Sequence, residues 1–323
     1  MANSTDNGSN TTSPGVVSRR VAPFAPLAIA LLAQTALLGG GGTTATPADH
    51  GPDTAAVCGD EIPTYQECHS EYPTGCSKAA NYDPFLNLLK NQLTAPTVAP
   101  LRLLGRDDFG KLEQGLPPAL TKSNHEVFKD DLAALGDGRV VGVVGYLYYA
   151  KKGGKESSNC QLENPDDIDF HIGIGFDPAL AAKLGSKDKK QKVTPEDHTV
   201  MNQTSVIVEM TPHWRAQFRP EWKIEALTLA IGHQVRVAGQ LLVDNEHFAP
   251  HDDCAFPGAG STCWRASVWE LHPVTRFEVC NTSTPCTETS GGWVDLEDFA
   301  SPGAPSQPAS GSPPPASTPG AGS

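Results

Sequence analysis

The stretches RVVGVVGYLYYA (residues 139–150) and DFHIGIGF (residues 169–176) carry the clearest structural signal in this chain. The first is rich in Val and Tyr, with glycines at positions 142 and 145 that suit a bent strand. In the second, Asp169 and His171 face one side, and the apolar side chains alternate with them on the other. Those apolar residues are Phe170, Ile172, Ile174 and Phe176. Both stretches therefore predict β-strands.

Three more strand patterns follow downstream. SVIVEMT (205–211) predicts a third strand, and a helical stripe over residues 220–231 precedes a fourth strand predicted over 234–244. A fifth is predicted over 265–279, with a break at Pro273. The order of elements is thus three strands, one helix and two strands.

This order, with a glycine-bent first strand, resembles that of an oligonucleotide/oligosaccharide-binding (OB) barrel. The resemblance covers roughly residues 138–280 and implies a mainly β fold, an OB-like five-stranded barrel with one helix between strands 3 and 4. A different small barrel, or a sandwich decorated by a helix, is the alternative. An OB barrel also implies the strand order 1-2-3-5-4, and its ligands bind between the loops that join strands 1–2 and 4–5. Here those loops, 151–168 and 245–264, are long.

With that strand order, acids and imidazoles from distant parts of the sequence gather on the outward face of strands two, three and five. Histidine nitrogen and carboxylate oxygen suit zinc or manganese, and a hydrolase with a metal-activated water needs these residue types. No H-x-H or HExxH spacing supports a metal, so a polar-ligand site and cross-strand structural pairing stay open. The candidate residues are Asp169, His171, Glu209, His213, His247, Glu270 and His272.

Four segments also resemble a group of exported bacterial proteins. They are NPDDIDFHIGI (164–174), VIVEMTPHWR (206–215), VRVAGQLLVDNEH (235–247) and VWELHPVTRFEV (268–279). Residues 157–160 read SSNC where that group has a more cysteine-rich E-[ST]-C-N-C version. The resemblance implies export and a shared domain, and brings no established activity.

The two ends of the chain differ from its middle. Arg19-Arg20 precede an apolar run over residues 21–38, the outline of an export signal or of an uncleaved membrane anchor. Residues 1–42 are therefore predicted as signal or anchor, 43–57 as a linker, and 301–323, composed almost entirely of Ser, Pro, Gly, Ala and Thr, as a disordered tail. Between them we expect a Cys-containing extension (58–137), the barrel (138–280) and a disulfide-closed C-terminal extension (281–300).

All eight cysteines lie in this middle region, and an even number in an exported chain indicates disulfides. Cys254 with Cys263, and Cys280 with Cys286, are plausible local pairs. Three pairings are open for the other four cysteines, and no C-x-x-C spacing supports structural zinc. Those four are Cys58, Cys68, Cys76 and Cys160.

The chain of 323 residues carries a formal charge of −13, which disfavours a general nucleic-acid binder. One basic loop, with five lysines between residues 183 and 192, is the exception. The leading interpretation is an exported, disulfide-stabilised binding or structural module for a glycan, an envelope component or a protein, with no cofactor expected. A metal-dependent hydrolase using zinc or manganese is the alternative, and a nucleic-acid-binding OB domain is the third possibility. No G-x-S-x-G elbow or P-loop is present.

Overall fold

The structure, a computed structural model, describes residues 54–59, 62–96, 101–188 and 190–301. The predicted signal or anchor (1–42), most of the predicted linker and all but the first residue of the predicted tail lie outside these ranges. Within them, no helix combines the length and apolar character needed to cross a membrane.

A closed, mixed β-barrel of five strands forms the centre of the described chain, and two short strands extend it. The strands are β1 (Leu103–Leu104), β2 (Val140–Lys152), β3 (Phe170–Gly175), β4 (Val206–Met210), β5 (Gln234–Val243), β6 (Trp269–Cys280) and β7 (Trp293–Asp295). In the barrel β2, β3, β4, β6 and β5 follow one another, and β5 pairs again with β2. Only the β4–β6 contact of this ring is parallel.

Counted along the barrel alone, this is the order 1-2-3-5-4, so the expected OB-like barrel is confirmed. The alternation read from the sequence explains why the barrel closes. Apolar side chains of β3 and β4, including Ile172 and Val208, are fully buried and join Leu271 and Val237 from β6 and β5 in one core cluster. Burial of each large apolar side chain stabilises the folded state by about 1.5–3 kcal/mol, so this core is the main stabilising feature.

Short helices occupy the connections between strands. Two helices connect β4 to β5, the third and fourth strands of the barrel, where the sequence predicted one helix. The first of them ends at the C-cap Arg219, and the second begins after Lys223. Two further helices, which were not predicted, connect β3 to β4. The helices are α1 (Tyr65–Glu71), α2 (Pro84–Lys90), α3 (Arg106–Gln114), α4 (Lys129–Leu135), α5 (Pro178–Leu184), α6 (Pro195–Thr204), α7 (Pro212–Phe218), α8 (Ile224–Leu229) and α9 (Leu296–Ala300), with 3-10 turns at Glu126–Phe128 and Asn245–His247.

The predicted break at Pro273 is wrong. β6 continues through Pro273, which has no N–H to donate to the sheet. The register with the partner strand β5 shifts at this point, which accommodates the missing donor. Gly239 pairs with Val274, and Leu241 pairs with Leu271. The strand therefore continues past the proline, and its polar residues before Pro273 stay in the sheet.

The extension before the barrel is held to it by a disulfide and by buried hydrogen bonds. Cys68 of α1 is bonded to Cys160 in the connection between β2 and β3, and Cys58 to Cys76. The other two pairs, Cys254 with Cys263 and Cys280 with Cys286, are those expected from the sequence. No cysteine of the described residues is free.

Candidate functional site

Strand register brings the predicted acids and histidines together on one face of the barrel. His171 of β3 lies directly opposite Glu209 of β4. On the other side of β4, Val208 is in register with Leu271 of β6, so Glu270 and His272 flank the same point of the sheet. Because side chains alternate, all four point away from the core formed by their apolar neighbours.

This outward face is not open to solvent, although an outer face of a sheet usually is. Asp169, Glu209, Glu270 and His272 are at most 4% exposed. The connection between β2 and β3 covers them, and helix α2 in turn holds that connection: Asn87 Nδ2 donates to Ser157 Oγ at 3.0 Å, and Asn91 Nδ2 to the Ser158 carbonyl at 2.9 Å. The polar face therefore forms a buried ionic cluster.

His171 lies between two carboxylates at the edge of this cluster. Its Nε2 is 2.9 Å from Glu156 Oε1, in the connection above it, and 3.5 Å from Glu209 Oε1. Burial lowers the pKa of the imidazole, but the Glu209 charge and the hydrogen bond to Glu156 outweigh burial and raise that pKa to about 10. His171 is therefore an imidazolium at neutral pH.

His272, at the centre of the cluster, uses its two ring nitrogens differently. Its Nδ1 is hydrogen-bonded to Glu270 Oε1 at 3.0 Å and lies 3.3 Å from Glu209 Oε2. Its Nε2 faces Asp169 Oδ1 at 4.0 Å, which is too long for a hydrogen bond. Glu270 thus orients the ring and leaves Nε2 directed at Asp169.

Two buried cations neutralise one side of the cluster. Lys90 of α2 lies 3.3 Å from Asp244 Oδ2, and Arg265 Nη1 lies 3.2 Å from the same oxygen. Arg265 Nη2 also donates to Glu270. These contacts connect the extension, the end of β5 and the start of β6 through one carboxylate, Asp244.

The three remaining carboxyl groups of the cluster differ in pKa. Burial raises the pKa of Asp169, with a further contribution from the Glu156 charge, to about 7. Burial also raises the pKa of Glu209 to about 8, in spite of the opposing His171 charge. Glu156 goes the other way: burial raises its pKa, but the His171 hydrogen bond and charge lower it to about 2. Of these three carboxyl groups, Glu156 is thus firmly ionised, whereas Asp169 and Glu209 titrate near neutrality.

A cavity of about 390 Å³ lies in front of His171 and Glu209. The connection between β2 and β3 supplies Lys155 and Glu156 to its wall, and the connection between β5 and β6 supplies Glu246 and Trp264. These are the two long loops between which an OB barrel binds its ligands. The other lining residues are Ser77, Asn81, Tyr82, Lys90, Lys151, Ser157, Gln161, Asp244 and His247.

Two predicted site residues lie away from the centre of the cluster. His213, in α7, donates its Nδ1–H to the Asn91 carbonyl at 2.9 Å, and its ring centroid lies 4.1 Å from that of His69. His247 lies at the cavity wall, 3.6 Å from Asp244 and 3.7 Å from Asp252. The structure thus brings together Asp169, His171, Glu209, Glu270 and His272, places His247 at the rim of the cluster beside Asp244, and leaves out His213.

Sequence reasoning missed Glu156, Lys90, Asp244 and Arg265. Glu156 had one available signal, since it is the acidic residue that begins the segment similar to E-[ST]-C-N-C. The other three stand in no motif, and only tertiary packing brings them to the cluster.

The other sequence candidates lie elsewhere. None of the described lysines of the basic loop lines the cavity, and Lys183 of that loop is paired with Asp197 at 2.5 Å. Among the aromatic residues of the barrel and its connections, Tyr148, Trp214 and Trp269 are buried, whereas Trp264 lines the cavity.

Comparison of the chain with protein-family models, curated proteins and solved structures finds no match.

Proposed function

We propose that this chain is an exported, disulfide-stabilised OB-type binding module whose cavity takes a charged saccharide unit of a glycan. The observation that carries the proposal is the position of the cavity, on the barrel face between the two long loops. A cavity of about 390 Å³ lies at the small end of the range for ligand pockets and suits one or two sugar units.

The lining supports a polar, charged ligand over an apolar one. Lys151 and Lys155 stand beside Glu246 and His247, and Trp264 supplies one aromatic wall. Aromatic walls with convergent polar groups are typical of sites that orient small polar molecules. Four disulfides in the described chain are common in exported proteins, where glycans of the cell envelope are available.

The test is calorimetric titration of the full chain with oligosaccharides that carry a uronic acid or an amino sugar, beside neutral oligosaccharides of equal length. We expect saturable binding of a charged member. Trp264→Ala should weaken that binding about tenfold or more, since buried aromatic anchors dominate such contacts. Trp293→Ala is the matched control, because this indole lies on β7 and does not line the cavity. Equal binding by both variants would contradict the assignment of the cavity.

A metal-dependent hydrolase acting on the same ligand is the second candidate. The carboxylate and imidazole groups at and behind the cavity floor favour it, since a metal ion held by such groups can activate a water molecule for hydrolysis. Release of reducing ends from a bound oligosaccharide distinguishes the two functions: a binding module leaves the ligand intact, whereas a hydrolase consumes it.

A further inference from the structure

Two trios of side chains in the cluster place donor atoms close enough for a metal ion. In each, one donor atom per residue lies within 4.8 Å of the others. The first trio is Glu156, His171 and Glu209, and the second is Asp169, Glu209 and His272.

Hydrogen bonding separates the two trios. In the first, His171 Nε2 is already hydrogen-bonded to Glu156 Oε1 at 2.9 Å, so its donor nitrogen has a partner. In the second, three fully buried atoms have no hydrogen-bond partner within the described part of the chain. They are Asp169 Oδ1, Glu209 Oε2 and His272 Nε2. A buried polar atom without a partner loses its hydrogen bonds to water and gains none in return, so three such atoms in one place call for a ligand.

The balance of charge around the second trio points to a cation. Lys90 forms an ion pair with Asp244, and Arg265 forms ion pairs with both Asp244 and Glu270. Arg215, the other buried arginine nearby, gives its N–H groups to the carbonyls of Met210 and Ile168. Within the described residues, Asp169 and Glu209 therefore have no lysine or arginine partner, and the His171 imidazolium, 3.5 Å from Glu209 Oε1, is shared with Glu156. This excess of buried negative charge is costly unless a proton or a metal compensates it.

The second coordination layer of a metal-binding histidine is also in place. Metal-ligating histidines donate their other ring N–H to a carboxylate or carbonyl, which fixes the tautomer. His272 has this arrangement, with Nδ1 hydrogen-bonded to Glu270 and Nε2 left toward Asp169. Arg265 in turn holds Glu270.

We propose that Asp169, Glu209 and His272 hold a divalent metal ion, zinc or manganese, directly behind the floor of the cavity. Two carboxylates and one imidazole are ligands that suit either ion. Glu270 is a positioning residue that acts through His272. The inference stands independently of the glycan proposal, because its evidence is the set of buried atoms without a hydrogen-bond partner and the charges around them, and not the position of the cavity between the loops.

The first experiment titrates the chelator-stripped full chain with Zn²⁺ or Mn²⁺ alone, with no saccharide present. We expect saturation at one ion per chain and a rise in the unfolding temperature that increases with metal concentration. His272→Gln and Asp169→Asn should each weaken binding about tenfold or more. His198→Gln is the matched control, because it removes an exposed imidazole of α6 that lies outside the cluster and the cavity lining, and its affinity should equal that of the wild type.

Variants in a buried cluster can fail to fold, so a spectroscopic measurement on the wild type completes the test. Manganese bound by the trio should show nitrogen coupling from one imidazole in its electron paramagnetic resonance signal. Absence of saturable binding by the folded wild type, an all-oxygen manganese signal, or full retention of binding in a folded His272→Gln would each overturn the assignment. Failure here leaves the saccharide titration unaffected, since the two use different probes.

Discussion

At the scale of single residues, Arg265 shows how the polar face of the barrel is kept stable. The side chain is fully buried, and its guanidinium contacts Asp244, Glu270 and the Ser267 carbonyl. Burial opposes the charged form, but the two carboxylates raise the pKa of Arg265 above its ordinary value. The two carboxylates and the carbonyl therefore hold the guanidinium in place, and its positive charge in turn stabilises the two buried carboxylates.

Arg265→Met should lower the free energy of unfolding by about 3–5 kcal/mol, because it leaves buried carboxylates with fewer charge partners. Chemical denaturation of the oxidised protein measures this loss. Arg102→Met is the control: Arg102 is 68% exposed and its ion pair with Asp108 is at the surface, so a change within about 0.5 kcal/mol is expected. A loss below about 1 kcal/mol for Arg265→Met would show that the cluster tolerates an unpaired acid.

His125 is a second residue whose environment has a measurable consequence. Its Nε2 lies 3.2 Å from Asp137 Oδ2 and its Nδ1 2.9 Å from Asn245 Oδ1. Asn245 donates its Nδ2 to the Thr121 carbonyl, which directs its oxygen toward the ring. Both ring nitrogens thus face acceptors, as the doubly protonated ring requires. Burial lowers the pKa of His125, but the Asp137 hydrogen bond and charge outweigh burial and raise it above 6.5.

Because the folded state raises this pKa, His125 stabilises the protein fully below about pH 6.5, and that contribution disappears as the pH rises through the raised value. We expect Asp137→Asn to cost more stability at about pH 5.5 than at about pH 9. Unfolding free energies of both proteins at the two pH values give the comparison. A cost that grows with pH would mean that the ring is neutral in the folded state.

At the scale of elements, glycines of β3 leave room for aromatic rings of β2, which pack on them. A Cβ placed on Gly175 would lie 1.8 Å from Tyr148 Cε2, and one on Gly173 would lie 2.2 Å from Tyr149 Cε1. Tyr148 is 1% exposed, and its hydroxyl accepts a hydrogen bond from the N–H of Asp177, the N-cap residue of α5. The two glycines therefore provide the room that lets the tyrosines cover β3.

Gly175→Ala should destabilise the protein by about 1–3 kcal/mol, since the added methyl group meets a buried ring that is fixed by packing and a hydrogen bond. Thermal and chemical unfolding measure the change. Gly110→Ala is a control of opposite sign: it lies inside α3 with nothing within 4 Å of an added Cβ, so a gain of up to about 1 kcal/mol is expected. Equal effects of the two substitutions would contradict this role of the glycines.

At the scale of the whole molecule, the extension contributes to the site as well as to stability. Helix α2 brings Lys90 to Asp244, and the disulfide between Cys68 and Cys160 holds α1 to the connection that carries Glu156. That disulfide closes a segment of 92 residues, whereas the one between Cys280 and Cys286 closes 6. Longer closed segments restrict the unfolded chain more strongly.

Replacing Cys68 and Cys160 together by Ser should therefore lower the free energy of unfolding by roughly 4–5 kcal/mol. The same replacement of Cys280 and Cys286 should cost about 2 kcal/mol, because its loop is short. Denaturation of the two double variants beside the wild type measures both losses. Equal losses, or a larger loss for the short loop, would show that chain entropy does not govern these bonds.

The barrel could be predicted from the sequence because its signal is local. Alternation in β3 and the apolar runs of β2 and β4 report which side chains enter the core, and the order of elements then indicates the OB-like closure. The two local disulfides were accessible for the same reason. The two helices between β3 and β4, and the continuation of β6 past Pro273, were not, since short helices and bulges depend on what packs against them.

Local alternation and spacing along the chain were enough to predict the barrel strands and the presence of disulfides. They also predict the shared side of the sheet for Asp169, His171, Glu209, Glu270 and His272. Tertiary packing, in contrast, buries this outer face, brings Glu156, Lys90 and Arg265 to it, and keeps His213 away from it. The difference comes from the range of the interactions. Alternation acts over two residues, whereas the ionic cluster depends on contacts such as Lys90 with Asp244, which are brought together by packing of the extension on the barrel.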